Sequence, residues 1–281
     1  MNLTNLSAIR EIADKFGFTF SKSLGQNFLI NPSVCPRIAE MGGADENTGV
    51  IEIGAGFGVL TQELAKRAKK VVAVELDSRL IPVLQYTLAD YDNVKVINED
   101  VLKVDLPKLI AEEFPGMEVV VCANLPYYIT SPIIMTLLEQ RLPVKAVTVM
   151  VQKEAGDRLC APMPSRECGA VTAAVRYYSE PKVLFPVSRG SFCPAPNVDS
   201  MVIRLDVKDA LPLQPEEEKT LFRVVKAAFG QRRKTLPNTL SAGLGISKAE
   251  AAEKLAAAGL KPTARAEELS MEQFCRLAKE F

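Results

Sequence analysis

Five consecutive residues combine an amide side chain, a proline and two aromatic rings, an unusual set for the end of a strand: Asn124, Leu125, Pro126, Tyr127 and Tyr128. They follow an apolar, β-branched run whose composition predicts a buried strand. Because Pro126 has no N–H and biases Leu125 toward an extended backbone, we expect the Leu125 carbonyl to stay free to accept a hydrogen bond. Together with the Asn124 amide and the flat Tyr127 ring, this carbonyl would suit a planar heterocycle with an exocyclic amine, such as adenine. The alternative is a strand that ends in a proline turn with Tyr127 packed underneath, since short motifs often match by chance.

A glycine-rich turn and two acidic residues precede this motif, each after an apolar run. Gly54-x-Gly56-x-Gly58 lies between a predicted strand and a predicted helix, where glycines let the backbone approach a ligand. A carboxylate in the place of Glu75 can accept both hydroxyls of a ribose, and Asp100 could accept from an adenine amine. The plainer interpretations are a tight turn, a solvated strand-end charge and a helix N-cap, respectively.

Strands and helices alternate along the first half of the chain, which predicts an α/β fold with a parallel, doubly wound sheet. Apolar runs predict strands over 49–53, 70–76, 94–97, 119–123 and 145–151, and helices over 59–68, 78–88 and 131–139. Before them we expect a helix over 7–16, a surface loop over 21–30 and a helix from Asn31-Pro32 to about Met41. Every polar motif falls at the C-terminal end of a strand, where such sheets bind ligands.

Two further regions are predicted after residue 152, a mixed region up to about residue 207 and a helical region from Pro215. A charged helix over 153–159, a loop over 161–167, strands over 170–178 and 201–207, and a proline-rich loop over 185–197 come first. From Pro215 the pattern becomes helical, and capping boxes begin at Ser247 and Ser270. We therefore expect one domain over 1–206 and a small all-helical domain over 207–281, beginning with a linker that ends near Gln214.

Composition excludes several kinds of chemistry and location. The chain has 281 residues, zero formal net charge and no histidine, so general-base catalysis by imidazole is excluded and any surface for nucleic acid must be local. Its six cysteines are scattered without metal-site spacing, and no metal site is expected. With no leader peptide and no apolar span, we expect a cytoplasmic protein with reduced thiols. No long apolar stripe is left unexplained, so a monomer is expected.

The glycine turn, the two acids and Asn-Leu-Pro-Tyr on four successive strand ends resemble the S-adenosylmethionine-dependent methyltransferase fold, a Rossmann-like sheet with helices on both faces. Three further stretches resemble the ribosomal RNA adenine dimethylase family: Leu24-Gly25-Gln26-Asn27-Phe28-Leu29, Phe192-x-Pro194-x-Pro196-x-Val198-Asp199-Ser200 and Ala228-Phe229-x-x-Arg232-Arg233-Lys234-Thr235-Leu236. The resemblance covers the chain from about residue 20 to its end. It implies an enzyme that uses S-adenosylmethionine to dimethylate the N6 amines of two adjacent adenosines in the 3′-terminal hairpin of 16S rRNA, during small-subunit biogenesis.

The same resemblance implies roles for individual residues. The residues expected to line the S-adenosylmethionine site are Asn27, Leu29, Gly54, Gly56, Glu75, Asp100 and Asn124. Asn124 and the Leu125 carbonyl would hold the two N–H bonds of the target amine, so that its lone pair points at the methyl group. Tyr127 and Phe192 would stack on the splayed base, although Phe192 could instead anchor its loop in the core. Basic residues expected to contact RNA phosphates are Arg189, Arg223, Lys226, Arg232, Arg233 and Lys234.

Two departures from the family pattern and three alternatives remain at this point. Ala55 stands where the family usually has proline, and Pro237 predicts a kink or break in a helical stretch that is usually continuous. One alternative is a dinucleotide-dependent oxidoreductase, which would not explain Asn-Leu-Pro-Tyr. Another is a sister enzyme of the antibiotic-resistance type that methylates large-subunit rRNA. The third is an assembly factor that binds immature 30S particles without catalysis.

Overall fold

The computed structural model describes residues 2–19 and 27–281, so Leu24, Gly25 and Gln26 of the N-terminal motif lie outside the described residues. The chain divides into two compact units, residues 1–156 with 182–207 and residues 157–181 with 208–281. Within the described ranges, no helix has both the length and the apolar character needed to cross a bilayer.

A seven-stranded sheet organises the first unit. The strands of the chain are β1 Phe28–Leu29, β2 Thr48–Ile53, β3 Lys70–Glu75, β4 Val94–Asn98, β5 Glu118–Asn124, β6 Ala146–Gln152, β7 Ser179–Val187, β8 Phe192–Cys193 and β9 Ser200–Val207. The sheet order is β4-β3-β2-β5-β6-β9-β7, parallel from β4 to β6, with β9 antiparallel to β6. The predicted parallel sheet is confirmed. Chain order reverses between β2 and β5, which places the crevice of a doubly wound sheet at their carboxyl ends.

Helices connect and cover these strands. They are α1 Leu6–Lys15, α2 Val34–Met41, α3 Val59–Ala65, α4 Ile81–Thr87, α5 Leu106–Glu113, α6 Thr130–Glu139, α7 Lys153–Cys160, α8 Ala170–Tyr178, α9 Pro215–Ala228, α10 Leu236–Leu244, α11 Lys248–Ala257 and α12 Met271–Ala278. The predicted start of α2 at Asn31 is wrong, because the Asn31 Oδ1 accepts from the Ser33 N–H at 3.0 Å and closes a turn before the helix. Helix α5 was not predicted.

The central strands are buried on both faces. All residues of β2 are buried, and Val50 packs with Val120 of β5 against Ile38 of α2 and Leu64 of α3. Ile51, which points to the opposite face, is equally buried. A strand covered on both faces has a continuous apolar sequence rather than an alternating one, which is why these runs were recognisable as strands.

The predicted strand over 170–178 is wrong, since these residues form α8. Their β-branched and aromatic side chains favour a strand locally, but they pack here on the helical unit. The hydroxyls of Tyr177 and Tyr178 donate to the two carboxylate oxygens of Glu218 on α9, at 3.0 and 2.8 Å. The ring of Tyr178 also stacks on Phe222. Residues 157–181, which the sequence assigned to the first domain, therefore group with the helical unit.

The proline-rich segment is more ordered than the predicted loop over 185–197. Phe185 to Val187 complete β7, and β8 pairs antiparallel with β1, with Leu29 opposite Phe192. The Ile30 N–H also donates to the Ser191 carbonyl at 2.8 Å. This pairing also corrects the predicted loop over 21–30, of which residues 21–26 lie outside the described residues.

The helical unit follows the predicted caps. The capping box at Ser270 forms, since the Ser270 hydroxyl accepts from the Gln273 N–H at 3.2 Å while the Gln273 side chain accepts from the Ser270 N–H at 2.8 Å. At Ser247 only half of the predicted box forms in the described chain, where the hydroxyl accepts from the Glu250 N–H at 3.1 Å. Pro237 lies in the first turn of α10, after the break that separates it from α9. Helices α9 and α10 cross so closely that a Cβ at Gly243 would lie 2.5 Å from the Cβ of Ala227.

Candidate active site

The turn after β2 has a backbone conformation that glycine adopts with little strain. Gly54, Gly56 and Gly58 have φ angles of 77°, 59° and 89°, in the left-handed region that disfavours residues with a Cβ. Gly54 lies next to β5, since a Cβ there would be 3.8 Å from the carbonyl oxygen of Asn124. Backbone that no side chain covers therefore lies beside the carboxyl end of β5, where a ligand can approach it closely.

Glu75 is fixed at the end of β3 by backbone donors. The Gly56 N–H donates to its Oε2 at 2.9 Å, and the Asp77 N–H donates to its Oε1 at 2.8 Å. Burial raises the pKa of Glu75, and these two hydrogen bonds oppose the rise. Each carboxylate oxygen keeps lone-pair capacity for one more donor, as a pair of ribose hydroxyls would require.

Asp100 follows β4, and one of its two carboxylate oxygens stabilises the turn in which it lies. Its Oδ1 accepts from the Leu102 N–H at 3.1 Å. Residues 101–104 form turns rather than a helix, so this is a local turn and not the helix N-cap considered as the alternative. No residue of the described chain donates to Oδ2, which leaves one carboxylate oxygen for a ligand.

Asn124 and Leu125 present two acceptors at the end of β5. In residues 2–19 and 27–281, the Asn124 amide has no side-chain hydrogen bond and the Leu125 carbonyl accepts none. The Leu125 N–H donates to the Met150 carbonyl at 3.3 Å, and its side chain is buried, so the backbone here is anchored. The two acceptors are held in place without being used by the described part of the chain.

Tyr127 is half-buried beside them. Its hydroxyl lies 2.7 Å from the Ser200 hydroxyl, and Ser200 is fully buried at the start of β9. Burial raises the pKa of Tyr127, so the phenol stays protonated at neutral pH. The hydrogen bond restricts the direction of the ring.

Phe192 reaches the same place from β8 but is only 3 % exposed and belongs to the core cluster around α2 and α3. It therefore anchors its loop, as the alternative interpretation expected, and it also lines the cavity described next. Its partner in β1, Leu29, is likewise buried, and Asn27 precedes that strand.

One cavity at the carboxyl edge of the sheet is lined by every residue that the sequence assigned to cofactor binding or catalysis. These are Asn27, Leu29, Gly54, Gly56, Glu75, Asp100, Asn124, Leu125, Tyr127 and Phe192. They come from the ends or neighbours of six strands, so the tertiary fold brings together motifs that are far apart in the chain.

Glu52 was missed by the sequence analysis. It lies inside β2, is 1 % exposed and lines the cavity, and its Oε2 is buried without a hydrogen-bond partner. Burial raises the pKa of Glu52 to about 8, and the negative charge of nearby Glu75 contributes to the rise. A carboxyl group in an otherwise apolar central strand was the signal available, because charged residues are rarely buried there without a partner.

The basic residues assigned to RNA contact lie in both units. Arg189 is exposed in the loop before β8. In the helical unit, Arg223 and Lys226 line a cleft with Gly230 and Gln231, and among the described residues neither cation forms an ion pair. Arg233 and Lys234 are exposed, and Arg232 donates to the Arg166 carbonyl at 2.8 Å. The helical unit thus offers cations that are not neutralised by its own carboxylates.

The groups at the end of β5 offer positioning rather than proton transfer. The chain has no histidine, and the acceptors of Asn124 and Leu125 are neutral. Such groups can orient an N–H donor and stabilise the positive charge that forms on it as it reacts. Two buried carboxyl groups, those of Glu52 and Glu75, line the same cavity and suit a ligand that carries hydroxyl and cationic groups.

In a comparison with protein families, residues 17–281 match the family described as ribosomal RNA adenine dimethylase. Similar curated relatives include the ribosomal RNA small subunit methyltransferase A of Alkaliphilus oremlandii, 50% identical over 96% of this chain and 94% of that protein. The protein of the same name from Geobacillus thermodenitrificans is 50% identical over 96% of this chain and 93% of its own.

Solved structures are similar over most of the chain. A dimethyladenosine transferase from Plasmodium falciparum has a TM-score of 0.73 and 26% identity, covering 89% of this chain and 95% of that one. The 23S rRNA methyltransferase ErmE has a TM-score of 0.70 and 26% identity, covering 90% and 99%. The methyltransferase fold predicted from the sequence is confirmed.

Proposed function

Since the chain belongs to the ribosomal RNA adenine dimethylase family, we propose that it transfers methyl groups to the N6 amines of two adjacent adenosines in the 3′-terminal hairpin loop of 16S rRNA. The methyl donor is S-adenosylmethionine, and S-adenosylhomocysteine is the product. The observation that carries this proposal is the pair of unused acceptors, the Asn124 amide and the Leu125 carbonyl, beside an aromatic ring in the cavity.

The residues of the cavity fit the donor. Glu75 and Asp100 keep carboxylate oxygens for the ribose hydroxyls and the adenine amine, and the glycine turn lets a ligand approach the backbone. The unpaired, buried Oε2 of Glu52 fits the ammonium group of the methionine part, because a buried carboxylate needs a cationic or hydrogen-bonding partner. When bound, S-adenosylmethionine supplies a methyl group on a sulfonium leaving group, so no further activation of the donor is required.

The chain's task is then to activate the acceptor amine. An adenine amine is conjugated with its ring and therefore weakly nucleophilic. Asn124 and the Leu125 carbonyl would accept its two N–H bonds and hold them out of the ring plane, so that the nitrogen lone pair faces the methyl group. The same acceptors would stabilise the positive charge that develops on nitrogen.

The adenine must leave its loop to reach this position. Tyr127 is the ring on which we propose that it stacks, since its direction is set by Ser200. Phe192 would close the other side of the base from the cavity wall. Because Phe192 is buried, this contact would be with the ring edge or would need a small side-chain movement.

We further propose that the first unit, residues 1–156 with 182–207, binds the donor and the target base, and that the helical unit, residues 157–181 with 208–281, contacts the rRNA. The unpaired cations Arg223, Lys226, Arg233 and Lys234 would meet phosphates, which position the RNA without specifying its sequence. The substrate would be the 30S subunit or its precursor in the cytoplasm, and the enzyme would act as a monomer.

One second function is favoured by a specific observation. The structural similarity to ErmE, a 23S rRNA methyltransferase, fits an enzyme that acts on the large subunit. Small-subunit relatives are 50% identical to this chain whereas ErmE is 26% identical, which favours the small-subunit substrate.

The test is transfer of labelled methyl from S-adenosylmethionine to undermethylated 30S subunits, with 50S subunits and free adenosine as controls, followed by nucleoside analysis. N6,N6-dimethyladenosine confined to the 3′ hairpin of 16S rRNA is the expected result. Label on 50S subunits alone would overturn the choice of substrate. Asn124→Ala should abolish transfer but keep particle binding, whereas Asn47→Ala, an exposed residue in the turn before β2, should behave as wild type.

A further inference from the structure

Tyr128 is an aromatic residue at the mouth of the cavity that the proposed mechanism does not use. It is 59 % exposed, and its ring and hydroxyl make no hydrogen bond or ring contact with any part of the chain that the structure describes. Single exposed aromatics are common on protein surfaces. This one also lines the same cavity as the unused acceptors of Asn124 and Leu125, which gives it a place in the site.

The backbone that carries Tyr128 is fixed. The Pro126 carbonyl accepts from the Ile129 N–H at 3.1 Å and from the Thr130 hydroxyl at 3.3 Å, which closes a turn over residues 126–129 at the start of α6. The buried side chain of Leu125 anchors this turn on one side, and that of Ile133 anchors it on the other. A fixed turn keeps the exposed ring at the cavity mouth at little cost in conformational entropy on binding.

The two tyrosines of this turn lie in different surroundings. Tyr127 is half-buried and hydrogen-bonded to Ser200, whereas Tyr128 is exposed and has no such partner in the described chain. A nucleotide whose base is splayed into the cavity leaves its neighbour outside, still linked through one phosphate. An exposed ring at the rim of the cavity is placed to receive that neighbouring base.

We propose that Tyr128 stacks on the nucleobase next to the target adenosine. The inference rests on the proposed function and adds to it a residue that positions the substrate RNA. Aromatic rings bind unpaired bases through their faces, largely independent of base identity. Because the RNA strand has a direction, the Tyr128 position would hold the other target adenosine during one of the two modifications and a flanking nucleotide during the other. Tyr128 would therefore help to hold the RNA in place for each transfer, and its loss would leave a larger share of molecules modified on one adenosine only.

The experiment compares Tyr128→Ala, Tyr128→Leu and Tyr128→Phe with wild type on undermethylated 30S subunits. Tyr128→Ala is expected to raise KM for the particle about tenfold, the size of one base–aromatic stacking interaction, with little change in kcat. Tyr128→Phe should keep most of the affinity, since the ring face remains. Tyr128→Leu should resemble Tyr128→Ala, because an aliphatic side chain has no ring face on which a base can stack. Tyr86→Ala, a change at an exposed tyrosine on α4 that does not line the cavity, is the matched control and should leave KM unchanged.

A second readout separates stacking from a structural role. Mass spectrometry of the fragment with both adenosines should show that Tyr128→Ala accumulates product methylated on one adenosine only, while S-adenosylhomocysteine binding stays at the wild-type level. Wild-type KM and wild-type product distribution in Tyr128→Ala would overturn the inference, as would loss of S-adenosylhomocysteine binding. If wild type itself transfers no methyl group to 30S subunits, the proposed function fails first.

Discussion

The hydroxyl oxygen of Tyr127 lies 2.7 Å from that of Ser200, although 73 residues separate them in the chain. Ser200 is the first residue of β9, which pairs with β6, and β6 in turn pairs with the strand that ends in Asn124. The hydrogen bond therefore joins the last residue of the proline-rich motif to the aromatic ring beside the two free acceptors. The strand pairings that hold Ser200 in place therefore also fix the direction of the Tyr127 ring.

Removing this hydrogen bond should lower activity without unfolding the protein. Ser200→Ala is expected to reduce kcat about fivefold, because one hydrogen bond contributes about 1 kcal/mol net and here holds the stacking ring. Tyr127→Phe should cause a similar loss, and the double variant should lose little more than either single one. Methyl transfer kinetics on 30S subunits measure this, with Ser7→Ala, at an exposed position in α1, as the control. Additive losses in the double variant would contradict the coupling.

Glu52 should make stability fall as pH rises. Its pKa is about 8 in the folded protein and 4.5 in the unfolded reference, so between these values the folded state binds one more proton than the unfolded state. The free energy of unfolding then decreases from about pH 4.5 to pH 8, by on the order of a few kcal/mol. Glu52→Gln, which cannot titrate, should flatten this decrease. Urea unfolding of the two free proteins at pH 6 and pH 8.5 measures how much the free energy of unfolding changes with pH in each. An equal change in wild type and in Glu52→Gln would contradict the prediction.

A substitution in the glycine turn should weaken donor binding by more than its loss of folding stability explains. Gly54→Ala places a Cβ at a φ of 77°, which costs about 1–2 kcal/mol of stability, and narrows the space beside the Asn124 carbonyl. We expect S-adenosylhomocysteine affinity to fall at least tenfold in calorimetry. Gly116→Ala is the matched control, with a φ of 71° and nothing within 4 Å of the added Cβ. It should lose similar stability and keep wild-type affinity; an equal loss of affinity in both would assign the effect to strain alone.

The helical unit should contribute electrostatic affinity for RNA. Replacing Arg223 and Lys226 by alanine removes two unpaired cations from the cleft on α9. Binding of 30S subunits should weaken, and the slope of log affinity against log salt should fall by about 0.7–0.9 for each phosphate that is no longer neutralised. Lys219→Ala on the same helix is the control, because Lys219 already pairs with Glu216 at 2.8 Å. A variant with an unchanged salt slope would show that the RNA binds elsewhere on the protein.

The fold class and the kind of chemistry could be predicted from the residues alone. Central parallel strands are continuous apolar runs, and the site residues follow their carboxyl ends, so the order of Gly54, Glu75, Asp100 and Asn124 along the chain predicts their meeting at one edge of a sheet. The lack of histidine and the Asn-Leu-Pro-Tyr motif indicated positioning by hydrogen-bond acceptors before any geometry was known.

Which residues are buried and which distant segments meet became visible in the folded protein. Residues 170–178 have strand-like composition, yet they form α8 because their tyrosines pack against Glu218 and Phe222 of α9. Glu52 became a candidate only once burial and its unpaired oxygen were visible. The pairing of Leu29 with Phe192 also became visible only in the fold, because the two residues are far apart in the chain. Local sequence carries propensity and periodicity, whereas burial and long-range pairing depend on which surfaces the whole chain brings together.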